Sequence, residues 1–561
     1  MNKVKSKVKL ILTALSSLTL LSSCFQDGSA NDQPKSDPPV HEISYQDPSL
    51  SKYEPPVELT FVRENGDDLD NLLRSFPGET LEDNRWSRLY EQVLGIRIKY
   101  DWLAKGDLFR QKLGVSLASG DIPDVVRVNA QQLRQLSNAG LIQDLSAAYN
   151  EYASAFTKEI LSQEGTGPLE AATIDGILMG IPGASSSIEG AEYIWIRTDW
   201  LDTLGLKPPQ TMNDLLTISK AFTEKDPDRN GKKDTNGLAV TSYLWDPVAG
   251  VSGFMAGYGA YPNFWFKDAS GKLAYGGIQP EVKTALKALQ DLYRSGQIDN
   301  EFAIMEGIKV KKRVGDGKIG IVYGQQWSSF WVQSSREQDP NAEWQAFPIV
   351  SATGEPAKVL LTFTTNQFYA VRKDYPHPEA IVKLFNLHLE KNWGATAEYE
   401  TYYSTPFPAW QLSPVTPFPA KKNQEAFRQL EEARRSGDTS GLKAEAKAIQ
   451  KNIDNYLSGT GNTELGWGWE RTYGPSGAYA ILEQYEKNNQ LLYESFVGGQ
   501  TETMIEKQSI LNDLLNETYI NIILGHSVDE FDQFVDEWRR LGGDMITAEV
   551  NEWYSKRDSA N

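Results

Sequence analysis

Cysteine is almost missing from this chain. Cys24 is the single one, so no intrachain disulfide can form. Histidine is nearly as scarce. Of the four, His41, His377, His388 and His526, none stands in an HExxH or HxH pair that would gather a catalytic zinc. No GxSxG nucleophile elbow and no GxxxxGK(S/T) phosphate loop occurs. Positive charge is in deficit, with a formal net charge of -19, which argues against the basic face that nucleic-acid binding requires. Long apolar runs are lacking too. The N-terminal one, residues 10–21, covers 12 residues, whereas about 20 are needed to span a bilayer.

What is present begins with that run. Lys3, Lys5, Lys7 and Lys9 precede it and small residues follow, so residues 1–23 are expected to be a secretory signal. The stretch Leu21-Ser22-Ser23-Cys24 resembles the lipobox of bacterial lipoproteins, which implies acylation of Cys24 and a lipid anchor on the extracellular face of the cell membrane. The competing reading is an ordinary cleavage site followed by an incidental cysteine. Residues 24–56, rich in Ser, Asp, Gln and Pro, cannot bury enough apolar surface to offset chain entropy and are expected to form a flexible tether.

A chain of 561 residues is too long for one core, and two or three domains are expected. Short apolar runs follow at 57–63, 96–102, 124–128, 192–197, 318–323 and 367–372. Amphipathic helical patterns separate them. In 281–294, Val282, Ala285, Leu286, Leu289 and Leu292 recur at helical spacing before Gly296. Strands alternating with helices mean an α/β fold.

Five stretches carry a family likeness: LASGDIPDV at 117–125, GLIQDL at 140–145, WIRTDWLDTLGL at 195–206, KIGIVYGQQW at 318–327 and DEFDQFVDEWRRLGGDMITAEVNEWY at 529–554. In this order, behind a lipobox, they resemble the extracellular solute-binding proteins (family 1 type) of carbohydrate ABC importers, in the large Gram-positive lipoprotein branch. The resemblance implies a two-lobe periplasmic-binding-protein-like fold with multiple hinge crossings. The crossings are expected near 180–186, near 361–367 and between 404 and 424. Lobe one would be 57–183 plus 365–405, and lobe two 184–364 plus 406–561. The implied function is binding of an oligosaccharide in the inter-lobe cleft and its delivery, by a monomer, to ABC permease subunits.

Sugar sites pair stacking aromatics with polar side chains on strand-to-helix turns. Arg63 and Asn65 follow the first strand. Arg127 and Asn129 close the third, where the resemblance places lobe-one contacts. Trp327 lies where related sugar binders carry a stacking tryptophan. Trp245 follows a strand start, and Trp467 and Trp469 stand in what reads as an aromatic loop punctuated by glycine. For each of these aromatics the alternative is packing, and for Arg63 and Arg127 it is a solvated charge at a sheet edge.

Asp226, Asp228, Asn230, Lys232 (through its carbonyl) and Asp234, with Gly231 at the turn, match the first part of an EF-hand loop. Position 12 is Gly237 rather than the bidentate Glu, so this is not a full EF-hand. A structural Ca2+ is expected. The alternative is an Asx-rich turn without metal.

The enzymatic alternative, a polysaccharide-active hydrolase or lyase, needs only two carboxylates, and 75 acidic residues supply many pairs. The family likeness points instead to a non-enzymatic binder. A ligand-presenting sensor accessory is the other alternative, and it would share tether and lobes with the importer reading.

Overall fold

Two continuous apolar runs become the central strands of one lobe. Glu192–Arg197 is buried from Tyr193 onward, and Ile319–Gln325 is buried up to its last residue, as expected where both faces of a sheet are covered. They pair antiparallel, with Trp344–Phe347 and Asn236–Leu238 at the edges of the four-stranded sheet. The protein is seen in a computed structural model that describes residues 48–560 except 184, 405, 406, 461 and 462. The expected signal, Cys24 and the tether up to residue 47 lie outside the described residues.

The other lobe holds the parallel pair Val57–Glu64 and Ile96–Ala104, beside a sheet in which Phe368–Val371 lies between Val125–Val128 and Ile181–Pro182. Asp124 locks these together. Its carboxylate accepts the Thr60 N–H at 3.0 Å and the Arg372 guanidinium at 2.6 Å, and its own N–H donates to the Thr60 hydroxyl at 2.9 Å.

The buried apolar side chains form two separate cores. One gathers residues from Leu50 to Ile181 and from Phe368 to Val415, the other from Ile188 to Leu361 and from Ala426 to Val550. The chain therefore passes between cores three times, and the passes are bonded to one another. Gly183 N–H donates to Gln367 O at 2.7 Å, the Ser185 and Thr365 hydroxyls lie 2.6 Å apart, and the Ser186 hydroxyl donates to Ala420 O. The Glu164 carboxylate accepts Ser187 N–H and Ile188 N–H at 2.8 and 2.7 Å, fixing the start of the second lobe against the first. Away from the crossings, Glu170 and Arg557 pair across the lobes at 2.7 Å.

Two expectations are corrected. Leu412 and Val415, assigned by the sequence reading to lobe two, are buried in the first core. Residues 48–56 are not all tether. Leu50 packs in the first core, the Tyr53 hydroxyl donates to Glu379 at 2.6 Å, and the Lys383 ammonium lies over the Tyr53 ring while donating to Ser51 O at 3.0 Å. One apolar side chain and a nearly buried lysine are enough to hold a segment whose average composition reads as disordered.

Candidate ligand-binding site

Two cavities flank the crossing segment that runs from Leu360 to Gln367. In lobe one, an open cavity of about 260 Å³ lies at the C-terminal ends of Val57–Glu64 and Val125–Val128, with Arg63, Arg127, Asn129, Asn366, Gln367 and Ser413 among its walls. In lobe two, about 150 Å³ is lined by Glu192, Trp245, Asn263, Gln325, Leu360 and Thr362, among others. Each is smaller than the roughly 300–1,000 Å³ of ordinary ligand pockets, so an extended ligand would draw on both.

Arg63 reaches the first cavity but is committed there. Its guanidinium donates to the Tyr100 hydroxyl at 3.2 Å, to the carbonyls of Ser413 and Leu412 at 3.1 and 3.5 Å, and to that of Gln411. It clamps the proline-rich segment that forms one wall, which is neither a solvated edge charge nor a free ligand reader. Asn129 has one committed atom. Its side-chain oxygen caps the helix Ala130–Asn138 by accepting Gln132 N–H at 2.8 Å. Arg127 is exposed, and among the described residues no hydrogen bond or ion pair engages its side chain. Asn65 does not line the cavity, and its N–H closes the strand pair on Ala104 O at 3.0 Å.

In lobe two, Trp245 presents its ring to the cavity while its indole N–H donates to Asn516 at 2.6 Å and its edge meets Tyr519. Trp327 stands outside both cavities. Its N–H donates at 2.8 Å to the side-chain oxygen of Gln325, which does line the second one. Trp327 therefore orients a cavity residue and offers the cavity no ring of its own.

The expected loop around Trp467 is the helix Thr463–Tyr473, and this corrects the Trp467 expectation. Trp467 is fully buried, donates to Glu343 at 3.2 Å and has the Arg336 and Arg471 guanidiniums within 5.5 Å of its ring, so no ligand reaches it. Trp469 is half-buried, edge-on to Phe330 at 5.1 Å and tilted against Tyr473. The glycines that suggested a loop serve close packing. A Cβ on Gly466 would lie 2.5 Å from Asn452 O, and one on Gly468 2.5 Å from the Phe330 ring.

Glu192 escaped the sequence reading. It heads an apolar strand, and its carboxylate accepts Gly253 N–H at 2.8 Å. Burial, opposed in part by that hydrogen bond and reinforced by nearby Asp246, pushes its pKa up to about 7. Its signal was a lone acid at the start of an otherwise apolar run.

The 226–234 loop folds on itself. Asp226 accepts Asn230 N–H and Gly231 N–H, both at 3.0 Å, and the Asn230 amide donates to Asp228 at 2.7 Å and Asp234 at 3.0 Å. Asp226, Arg229 and Gly231 take positive φ, as a tight wrap requires. Lys318 pairs with Asp234 at 2.7 Å and with Asp228 at 3.6 Å, and holds the Asp234 carboxyl below the usual range. Burial and crowding by the Asp226 and Asp234 carboxylates raise that of Asp228, whose Oδ1 is buried with no hydrogen-bond partner. Among the described residues no group of three or more His, Cys, Asp or Glu forms a ready metal cluster. The oxygen-only donor set and the orphaned Oδ1 fit a hard cation, provided that the Asn230 amide and the Lys318 ammonium turn aside.

The chain is 25% identical over 491 residues to Lipoprotein LipO of Bacillus subtilis (strain 168), covering 83% of this chain and 87% of that protein. It is 24% identical over 478 residues to the polygalacturonan/rhamnogalacturonan-binding protein YtcQ of the same organism, again covering 83% and 87%. Among solved structures, the S. pneumoniae substrate-binding protein FusA, an EF-hand mutant in complex with fructo-nystose, matches with a TM-score of 0.54 at 16% identity, over 90% of this chain and 100% of that one. That likeness shows the periplasmic-binding-protein-like fold. Residues 73–400, more than half of the chain, match the family described as bacterial extracellular solute-binding protein. Two α/β cores joined by three bonded crossings are the architecture such a match requires, and the chain belongs to the bacterial extracellular solute-binding proteins.

Proposed function

We propose that this protein is the substrate-binding lipoprotein of an ABC importer, and that it holds an oligosaccharide between its lobes and hands it to permease subunits in the membrane. The observation that carries the reading is the pair of cavities on one crossing segment. Both combine aromatic or apolar walls with amide, hydroxyl and charged groups, the chemistry that sugar rings and their hydroxyls need. A ligand touching both lobes favours closure by its differential affinity for the closed arrangement. The printed names of YtcQ and of the FusA complex, both of saccharide binders, support the same ligand class. The family binds solutes and does no chemistry on them. No described helix is long and apolar enough to cross a membrane. Retention at the outer face of the cell membrane would rest on acylation of Cys24, a reading that the name of LipO supports.

The 226–234 loop is read as a structural Ca2+ site, held by the side chains of Asp226, Asp228, Asn230 and Asp234 with the carbonyl of Lys232. Bound there, the ion would neutralise the crowded carboxylates and stiffen the loop.

A thermal-shift screen over oligosaccharides, run with excess Ca2+ and with EDTA, tests both readings. A saccharide that raises Tm and is recovered uncut is the expected result, as is a lower Tm in EDTA that Ca2+ restores. New reducing ends, or no response to any saccharide, would overturn the binding reading. An EDTA-insensitive Tm would overturn the metal reading.

A further inference from the structure

The two cavities differ in electrostatic sign. Around the lobe-one cavity stand Arg63, Arg127 and Glu64, a surplus of one cation in a protein whose net charge is -19. None of the partners of Arg63 is an anion, since it is held by carbonyls and a phenol. Glu64 is occupied in accepting Gly106 N–H at 3.1 Å. Arg127 has no partner among the described residues and is left to meet whatever enters.

The lobe-two cavity is the opposite. Glu192 is the only ionisable side chain in its wall, no Lys, Arg or His lines it, and Asp246 adds negative potential from close by. One backbone donor, the Gly253 N–H, holds this carboxylate in the wall. A Cβ on Gly253 would come within 2.5 Å of the Glu192 Oε2 and 2.6 Å of the Tyr323 ring, so a larger residue there would press on both and push the acid off that N–H. Above about pH 7, where Glu192 is ionised, an anion placed here would face a carboxylate that no cation in the wall offsets, whereas sugar hydroxyls would find an acceptor.

The cavities are near each other. Thr362 lines one and Asn366 the other, and four residues of extended chain span at most about 14 Å. A single short oligosaccharide can therefore reach both.

We propose that Arg127 and Glu192 sort the ligand by charge: Arg127 pairs with the carboxylate of an acidic sugar unit in lobe one, while Glu192 accepts hydroxyls of a neutral unit in lobe two, so the preferred ligand contains both. This rests on the saccharide-binding reading above and narrows it to mixed acidic and neutral oligosaccharides.

The test is calorimetric titration of the full folded protein with three kinds of probe. These are uronate-bearing xylo- and rhamno-oligosaccharides, the same compounds with the carboxyl reduced to the alcohol, and trigalacturonate. The mixed compound is expected to bind about ten- to a hundred-fold tighter than its reduced form, the usual weight of a charge-assisted hydrogen bond. Arg127→Gln, a change at an exposed side chain, should bring that ratio close to one by weakening the mixed compound far more than its reduced form. Glu192→Gln, nearly isosteric, should raise the affinity for trigalacturonate relative to the mixed compound. The preference for the mixed compound over its reduced form should also shrink with added salt. Equal binding of acidic and reduced forms, or an Arg127→Gln variant that weakens both alike, overturns the sorting proposal and leaves saccharide binding intact. Failure of every saccharide to bind sinks both readings.

Discussion

The carboxylate of Glu494 accepts the backbone N–H of Phe363 at 3.0 Å, fastening the crossing segment beyond Leu361 to the chain just after the strand Leu491–Tyr493. Phe363 itself packs against the first core, so this one acid in lobe two holds a residue whose ring belongs to lobe one.

Burial pushes the Glu494 pKa up to about 7, against 4.5 for the free side chain, with its hydrogen bonds only partly opposing the shift. Between those values the folded protein holds a proton that the unfolded chain has lost. The contribution to stability is thus full below about pH 4.5 and lost as pH rises through about 7, amounting to a few kcal/mol at most. Glu192 acts in the same direction. Glu494→Gln keeps an oxygen for Phe363 N–H and removes the titration. Its Tm, relative to the parent, should therefore rise more at pH 8 than at pH 5. Melting curves that stay parallel across that range would contradict the assignment.

Trp467 and Trp245 separate stability from binding. Trp467→Ala empties a fully buried site and strips Glu343 of a donor, and should cost about 3–5 kcal/mol in denaturant unfolding. Trp467→Phe, which fills more of the space, should bind saccharide as the parent does. Trp245→Ala removes a cavity wall and should weaken calorimetric affinity by about 1–3 kcal/mol. Unchanged affinity in the Trp245 variant would take that cavity out of the ligand's path.

The fold was legible where burial imposes a local pattern. The runs at 192–197 and 318–323 read as strands because both faces of each are covered, and Val282 to Leu292 read as a helix because one face is. What escaped was set by distant partners. Gly466 and Gly468 look like loop residues until Asn452 and Phe330 are seen pressed against them. Arg63 looks like a ligand reader until the 411–413 carbonyls fold onto it. On the site, the ends of the first and third strands were readable as cavity walls. Glu192 was not, because nothing in its neighbours in sequence shows that Gly253 leaves room for its carboxylate. Leu50 could not be told from the tether, since its burial depends on a helix more than 300 residues away.

That late helix makes the boundary of the tether measurable. Asn386 donates to Ser49 O at 2.8 Å and Lys383 to Ser51 O at 3.0 Å, both from the helix Glu379–Trp393. A protein beginning at residue 48 should melt as the longer chain does. One beginning at residue 57 loses Leu50 from the core and leaves the nearly buried Lys383 without its acceptors, which should cost about 2–4 kcal/mol. Equal Tm values for the two would mean that residues 48–56 contribute nothing.

Gly466 offers the sharpest check on helix packing in lobe two. Replacing a glycine inside a helix by alanine ordinarily gains up to about 1 kcal/mol, because less chain entropy is lost on folding. Here the added Cβ would stand 2.5 Å from the Asn452 carbonyl and 2.5 Å from the Tyr456 Cβ, both on the neighbouring helix Ala444–Leu457. Neither contact ends a flexible side chain, so the helices themselves must part. The cost of such overpacking, about 1–3 kcal/mol, outweighs the propensity gain. Gly466→Ala should therefore lower Tm. Gly441→Ala, where nothing lies within 4 Å of the new atom, should leave Tm unchanged or slightly raised. A Gly466→Ala variant as stable as the parent would show that these two helices are not in the close contact that makes residues 463–473 a packed helix and buries Trp467 beneath it.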